Sequence, residues 1–209
     1  GLMAGARMIC RGGLVALLVA GSVAVLTAPA GPRSVSAAQD AGGLISVEPA
    51  RLVETRTGPD DTTVDGELEG IGARAAGSVL TVPVVGRGGL PSQGVDAVFL
   101  NVTAVGPDAA GFLTVFPCGT EPPWASNVNY LAGQVVPNAV LAKVGEGGAV
   151  CIYTLATTHL VVDLNGYATE GSGTNPVEPA RLVETRTGPD DTTVDGELEG
   201  IGVRAAGSV

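Results

Sequence analysis

The sequence contains one long, near-exact internal repeat. The 33 residues that begin VEPARLVETRTGPDD at Val47 recur from Val177, and the two copies differ only at Ala73 against Val203. The copies are offset by 130 residues, which is the size of a small domain and far exceeds a solenoid unit of about 20–50 residues. The sequence therefore predicts a tandem array of whole domains.

The repeat divides the chain into a complete β module at residues 47–169, a polar linker at residues 170–176 and a truncated second copy of the module start at residues 177–209. The second copy has room for only one or two strands, and chains below about 40 residues rarely fold without staples. We therefore expect residues 177–209 to be mostly disordered. A minor population is expected to swap this segment into the place of the first copy, or to pair it with another molecule.

Residues 1–38 have the pattern of a signal peptide. Arg7 and Arg11 precede an apolar run of 13 residues, LVALLVAGSVAVL, which has the length of a signal core and is short for a membrane span of about 20. Small residues offer cleavage after Ala30 or after Ala38. The alternative is an uncleaved N-terminal anchor. Cleavage would leave residues 39–46 as a linker and predicts a secreted protein associated with the cell surface.

The charge balance excludes some partners. Residues 1–38 carry three of the 11 basic residues and none of the 21 acidic ones, so the rest of the chain has a net charge of −13. This field repels nucleic acid and anionic membrane surfaces. We expect no nucleic-acid partner, and no membrane partner after signal cleavage.

Short alternating runs dominate the complete module. In VFLNVTAV, the side chains of Val98, Leu100 and Val102 would face one side and those of Asn101 and Thr103 the other, as half-buried antiparallel strands require. Eight strand-like runs occur, several of them alternating, at residues 51–56, 78–85, 97–105, 111–117, 126–131, 139–144, 149–155 and 160–164. The sequence predicts an all-β fold, an antiparallel β-sandwich or jelly-roll-like domain of about eight short strands, with a β-trefoil as the alternative.

Turn residues add three local predictions. The four residues between Val144 and Ala149 predict a hairpin over residues 139–155, and Asn165-Gly166 predicts a second turn. Pro83 lies inside a strand-like run. It predicts an edge strand, where the missing N–H costs no ladder bond.

Two cysteines follow the signal segment, Cys118 and Cys151. In an oxidising compartment an even pair most simply forms a disulfide, and closing a loop of about 30 residues would stabilise the fold by roughly 3 kcal/mol. Two buried free thiols are the alternative. Two thiols and His159 are too few ligands for a metal, so no metal site and no cofactor is expected.

The order PARLVETRTG, VFLNVTAVGPDAAGFLTVFPCG, ASNVNYLAGQVVPNAVLAKVG and VCIYTLATTHLVVDLNGY resembles a secreted β-rich module of high-GC Gram-positive bacteria. Such modules occur singly or in tandem, sometimes beside cell-wall amidases, proteases or other surface domains. The resemblance covers about residues 47–167 and implies no established activity. Glu54 stands where the family pattern usually has Asp, which keeps the charge and lengthens the reach of the carboxylate.

Catalytic chemistry finds little support in the residue pattern. His159 and Asp163, as i and i+4 of one strand, would lie about 13 Å apart, too far for a catalytic contact. Acidic pairs occur at Asp60-Asp61 and at Glu67 and Glu69, in segments that read as solvated loops. We therefore predict that the module is not an enzyme.

Two further readings concern charged residues. Asp60-Asp61 and residues 163–166 offer oxygen donors for calcium, but ordinary turn chemistry is the favoured explanation. Arg51 and Arg56 are expected to pair with Glu54 or other acids rather than with a ligand.

One segment, residues 119–130 (GTEPPWASNVNY), predicts ligand binding. It holds the only tryptophan, Trp124, directly after two prolines, with Asn127 and Asn129 on one strand face and Tyr130 beside them. An aromatic ring next to amide groups is a common means of holding a sugar, and prolines with a nearby disulfide would reduce the ordering cost. The alternative is a tryptophan that covers a gap in the core, with both asparagines closing local turns.

These observations predict a non-catalytic exported module, repeated in tandem, that binds cell-wall polysaccharide or a surface glycan, or spaces other domains from it. Repetition would raise the overall affinity through effective concentration. The alternative is an accessory domain of an exported hydrolase whose catalytic domain lies outside these residues.

Overall fold

A computed structural model describes residues 43–189 and 191–206. The predicted signal peptide and the first part of the predicted linker at residues 39–46 lie outside the described residues. The end of that linker does not form a linker, since Leu44 already belongs to the first strand.

The described residues form eight β-strands and one short 3-10 turn. The strands are β1 (Leu44–Glu54), β2 (Val79–Pro83), β3 (Val95–Val105), β4 (Gly111–Pro117), β5 (Val128–Tyr130), β6 (Val135–Lys143), β7 (Ala149–Thr154) and β8 (His159–Thr169), and the turn is Glu146–Gly148. All pair antiparallel. Sheet 1 has the order β1-β8-β3-β6, and sheet 2 has the order β2-β7-β4-β5.

The two sheets enclose one apolar core, which confirms the predicted all-β sandwich and excludes the β-trefoil. Sheet 1 contributes Leu52, Leu100 and Leu164, and sheet 2 contributes Leu113 and Ile152, all fully buried. The alternation predicted for β3 is confirmed, because its buried residues alternate with half-buried Asn101 and Thr103. Burying these aliphatic side chains, at roughly 1.5–3 kcal/mol each, drives the sheets together.

The predicted hairpin over residues 139–155 is wrong. β6 pairs with β3 in sheet 1, whereas β7 pairs with β2 and β4 in sheet 2. The connection carries the chain from one sheet to the other and uses positive φ at Gly147 and Gly148. A Cβ at Gly145 would overlap the backbone of Cys118, so a glycine is required where the chain crosses.

The predicted turn at Asn165-Gly166 is also wrong, because β8 runs through both residues. Asn165 has no partner in either neighbouring strand: Leu164 and Gly166 pair with adjacent residues of β3, and β1 skips it too. Asn165 therefore forms a β-bulge, which locally re-aims a side chain. A Cβ at Gly166 would lie 2.7 Å from the carbonyl oxygen of Ile45, so the glycine permits close strand approach.

Pro83 ends β2, which lies at the edge of sheet 2. The predicted edge position is confirmed. The missing N–H of proline therefore falls where the sheet can tolerate it.

The second copy forms the same loop as the first. Glu54 N donates to Leu68 O at 3.1 Å and Gly70 N to Glu54 O at 2.8 Å, and the equivalent bonds of Glu184 measure 3.1 Å and 2.7 Å. The described residues of this segment thus form a hydrogen-bonded loop. The described part of the second copy that is equivalent to β1 packs against no core. Leu182 and Val183 are 65% and 51% exposed, whereas Leu52 and Val53 are fully buried.

No helix within the described ranges has both the length and the apolar character needed to cross a membrane.

Candidate functional site

A long loop between β4 and β5 folds over the outer face of sheet 2. Its first residue, Cys118, forms a disulfide with Cys151 of β7, with the Cα atoms 5.0 Å apart, which confirms the predicted bridge. Beneath the loop, Phe116 packs with both cysteines and Ala149 in a small second core. The disulfide therefore fastens the loop to the sheet at its start.

The far end of the loop is fastened by hydrogen bonds. Thr114 Oγ1 donates to the carbonyl oxygen of Ala125. Val115 N donates to Asn127 Oδ1 at 2.7 Å, and Asn138 Nδ2 donates to Asn127 O at 2.6 Å. Asn127, predicted as a ligand-binding residue, thus holds the loop in place with its amide oxygen.

Trp124 lies between these two fastenings and is 63% exposed. It borders an apolar groove of about 430 Å³ lined by Phe112, Pro122, Pro123, Trp124, Tyr153 and Leu155. The rings of Phe112 and Tyr153 contact each other on adjacent strands, with centroids 5.9 Å apart and planes tilted by 44°. Aromatic rings thus line both the loop and the strands of this groove.

The structure places the other two predicted residues, Asn129 and Tyr130, in different environments. Asn129 is exposed and lies opposite Phe112 across β5 and β4, so both side chains are on the outer face. Its amide donates to Ser126 Oγ at 3.1 Å. Tyr130 is only 3% exposed and belongs to the main core, where its hydroxyl lies 3.0 Å from Thr154 Oγ1. The structure therefore places Trp124 at the groove, Asn129 on the same sheet face outside the groove lining, and Tyr130 inside the sandwich.

The sequence-based prediction missed Phe112 and Tyr153. Both occupy outward positions of strands whose neighbouring residues face the core. In a chain with only three phenylalanines and three tyrosines, an aromatic residue at an outward strand position was the available signal.

A second cavity, of about 220 Å³, lies on another side of Trp124. Pro123 and Trp124 line it together with Pro179, Ala180 and Arg181, and with Thr192, Thr193 and Val194 of the second copy. Trp124 is 63% exposed beside this segment, so the second copy leaves most of the ring open.

Ionic contacts connect the end of β1 with the residues directly after it. Glu54 is fully buried and accepts hydrogen bonds from Arg56 Nε at 2.8 Å and Nη2 at 2.7 Å, and from Arg51 Nη1 at 3.2 Å. This confirms the expected pairing of Arg51 and Arg56 with Glu54. Burial raises the pKa of Glu54, but the hydrogen bonds and charges of the two arginines outweigh it and leave the pKa below its usual value. The hydrogen bond to Asp163 likewise raises the pKa of Arg51.

His159 and Asp163 bond to different groups. Nδ1 of His159 lies 2.9 Å from Thr55 Oγ1, and Asp163 accepts from Arg51. Thr55 is fully buried, and its oxygen also accepts from Leu160 N at 2.9 Å. The Thr55–His159 contact therefore joins the residue directly after β1 to the start of β8 and offers no hydroxyl that a substrate could reach.

No group of three or more His, Cys, Asp or Glu side chains suited to a metal occurs within the part of the chain that the structure describes. The chain matches no family model, no curated protein and no solved structure.

Proposed function

We propose that residues 47–169 form a non-catalytic, exported carbohydrate-binding module whose ligand stacks on Trp124. The observation that carries the proposal is the exposed ring of Trp124, on a loop fastened at both ends, beside the Phe112–Tyr153 pair. A large indole left in water loses the burial energy that it would gain in a core. A bound ligand recovers that energy.

The chemistry of the groove supports a sugar. Pyranose rings present a flat C–H face, which packs on an aromatic ring, and hydroxyl groups at their rim, which need polar partners. Asn129 supplies such a partner on the same face as Phe112. The fastened loop reduces the entropy lost when a ligand binds. The disulfide supports export, because such bonds persist mainly in oxidising compartments.

Intrinsic fluorescence offers a direct test, because Trp124 is the only tryptophan. The full chain, produced through an oxidising export route, would be titrated with purified cell wall and with soluble neutral polysaccharides. We expect a saturable change in Trp124 emission. Tyr153→Ala removes an aromatic wall but keeps the reporter, and should weaken binding at least fivefold.

A pull-down with the same polymers extends the test to Trp124→Ala, which should be retained less than wild type. Leu141→Ala is the matched control, since Leu141 is an exposed apolar residue on the opposite sheet. Circular dichroism would first establish that each variant folds. Equal retention of wild type, Trp124→Ala and Leu141→Ala on every polymer would refute the proposal.

Contact between neighbouring modules is a second candidate role for Trp124, favoured by the cavity that it shares with the second copy. In that case the array is a spacer. Trp124→Ala would then change the rate at which a protease cleaves the second copy and leave polymer retention unaltered.

A further inference from the structure

The outer face of sheet 1, on the side of the sandwich opposite Trp124, carries an open polar cleft of about 670 Å³. One row of paired residues crosses all four strands: Arg51 of β1 lies opposite Asp163 of β8, which lies opposite Asn101 of β3, which lies opposite Ala139 of β6. The small Ala139 leaves room above the sheet. The cleft is completed by Pro49, Asp60, Thr62 and Asn165.

Some polar side chains of this cleft are held by an ion pair, and others have no hydrogen-bond partner among the described residues. Arg51 Nε and Nη2 donate to the two oxygens of Asp163 at 2.9 and 3.4 Å, which fixes both side chains. The side chains of Asn101, Asn165 and Thr62 have no hydrogen-bond partner in the described part of the chain. The two amides are half-buried on strands, where their strand positions limit their freedom.

The bulge in β8 contributes to this arrangement. It gives Asn165 a position outside the regular ladder, and its side chain lines the cleft next to Asp163. Bulges commonly re-aim side chains at binding sites. Two half-buried amides thus flank a fixed carboxylate, and each amide offers one acceptor and two donor hydrogens.

Charge selects the class of ligand. The guanidinium of Arg51 is already paired with Asp163 and Glu54, and Asp60 adds a further negative charge, so the cleft does not attract an anion. A cation would find only two carboxylates, one of them held by Arg51. A neutral ligand with adjacent hydroxyl groups can use the unpaired amides and the remaining acceptor sites of Asp163.

We propose that this cleft binds a neutral saccharide unit through Asn101, Asn165 and Asp163, with Pro49 and Ala139 against its apolar face. The site is separate from the Trp124 groove and does not rest on it. Half-buried amides that lose their water must regain partners from the ligand, so a ligand without paired hydroxyls would be rejected.

Nuclear magnetic resonance of the isotope-labelled full chain tests this directly. The probes are neutral hexasaccharides of glucose, galactose, mannose or xylose, and the readout is the side-chain amide signals of Asn101 and Asn165. We expect at least one probe to shift both signals saturably. Asn101→Asp keeps the shape of the side chain but removes its donors, and should weaken this affinity at least tenfold. Thr62→Ala, a milder change in an exposed loop, should weaken it about threefold.

Trp124→Ala distinguishes this site from the groove, since it should leave the Asn101 and Asn165 shifts unchanged. The proposal is overturned if no hexasaccharide moves these amides. It is also overturned if calcium chloride or sodium sulfate alone reproduces the shifts, or if folded Asn101→Asp binds as tightly as wild type.

Discussion

Arg87 holds the carboxylate of Asp65 in two parallel hydrogen bonds, Nε to Oδ2 at 2.6 Å and Nη2 to Oδ1 at 2.7 Å. The same guanidinium, which is nearly buried, donates to the carbonyl oxygens of Leu52 and Pro83, each at 3.0 Å. One side chain therefore ties the loop after β1 to the strand before it and to the end of β2. Such two-bond pairing is among the stronger ionic contacts in proteins.

The repeat supplies a matched control for this contact. Asp65→Ala should lower the free energy of unfolding by about 2 kcal/mol, because Arg87 loses a charged partner where water is largely excluded. Asp195 occupies the same position in the second copy and accepts from Glu197 N at 3.0 Å. Asp195→Ala should change stability by less than about 0.5 kcal/mol. Urea unfolding measures both, and equal losses would contradict this role of Arg87.

Stability should fall in acid. The hydrogen bond from Arg87 lowers the pKa of Asp65, and the pKa of Glu54 is also lowered despite its burial. A carboxyl whose pKa is lowered by folding contributes stability above its unfolded pKa of about 4, and this is lost as pH falls through the folded pKa. Unfolding free energies measured in urea should be flat from about pH 7 to 5 and decline below.

Paired variants test which carboxyl is responsible. Glu54→Gln should lower stability at pH 7 and flatten the decline below pH 5. Glu184→Gln is the control: the hydrogen bond from Arg186 sets the pKa of Glu184 to about 2, but its loop can open without the sandwich. A stability that rises from pH 5 to pH 3 in wild type would contradict this assignment.

Loss of the disulfide should affect both stability and binding. Replacing Cys118 and Cys151 by Ala frees a segment with a sequence separation of 33, which should cost roughly 3 kcal/mol. The loop that carries Trp124 would lose one of its two fastenings and bind more weakly. Urea unfolding with and without reductant checks this, and reductant should not alter the variant. A wild type whose free energy of unfolding is the same with and without reductant would contradict the prediction.

The second copy should compete with β1 for the edge of sheet 1. Leu44 pairs with Ala168, and its counterpart at the repeat offset of 130 is Thr174. Placing Thr174 opposite Ala168 leaves residues 169–173 as a turn, an ordinary length for a hairpin. We expect a minor population with this exchange within one molecule or between two.

Substitutions at equivalent leucines test the exchange. Leu52→Asp places a charge in the core, yet Leu182 of the second copy can take its place, so the chain should still fold. The combination of Leu52→Asp with Leu182→Asp should not fold, and Leu182→Asp alone should resemble wild type. Circular dichroism and unfolding midpoints distinguish the three. Equal destabilisation by Leu52→Asp with or without Leu182→Asp would contradict exchange.

The strand-like runs of the sequence overlap all eight strands, although β4 and β7 are buried almost continuously and do not alternate. Such runs do not show which strand lies alongside, so the predicted pairing of β6 with β7 is wrong. The bulge at Asn165 escaped prediction for a related reason, since Asn-Gly has the same composition in a turn and in a bulge. Both errors concern long-range pairing, which local patterns do not encode.

The same limit on local patterns applies to the residues of the candidate site. Trp124 was predictable as a rare aromatic residue held behind prolines. Tyr130 was not predictable as a core residue, because its ring lies over Gly111 of β4, where a Cβ would come within 2.9 Å of it. Only the register between β4 and β5 brings that glycine beneath the ring. The groove partners Phe112 and Tyr153 likewise depend on the pairing of β4 with β7.

The pairing of β1 with β8 means that the chain enters and leaves the sandwich at neighbouring points. A host protein could therefore accept the module as a domain inserted into a single surface loop, with little disturbance of its own backbone. The seven residues of the 170–176 segment reach at most about 25 Å. Because this connection is short, duplication would hold neighbouring modules close together and raise their local concentration.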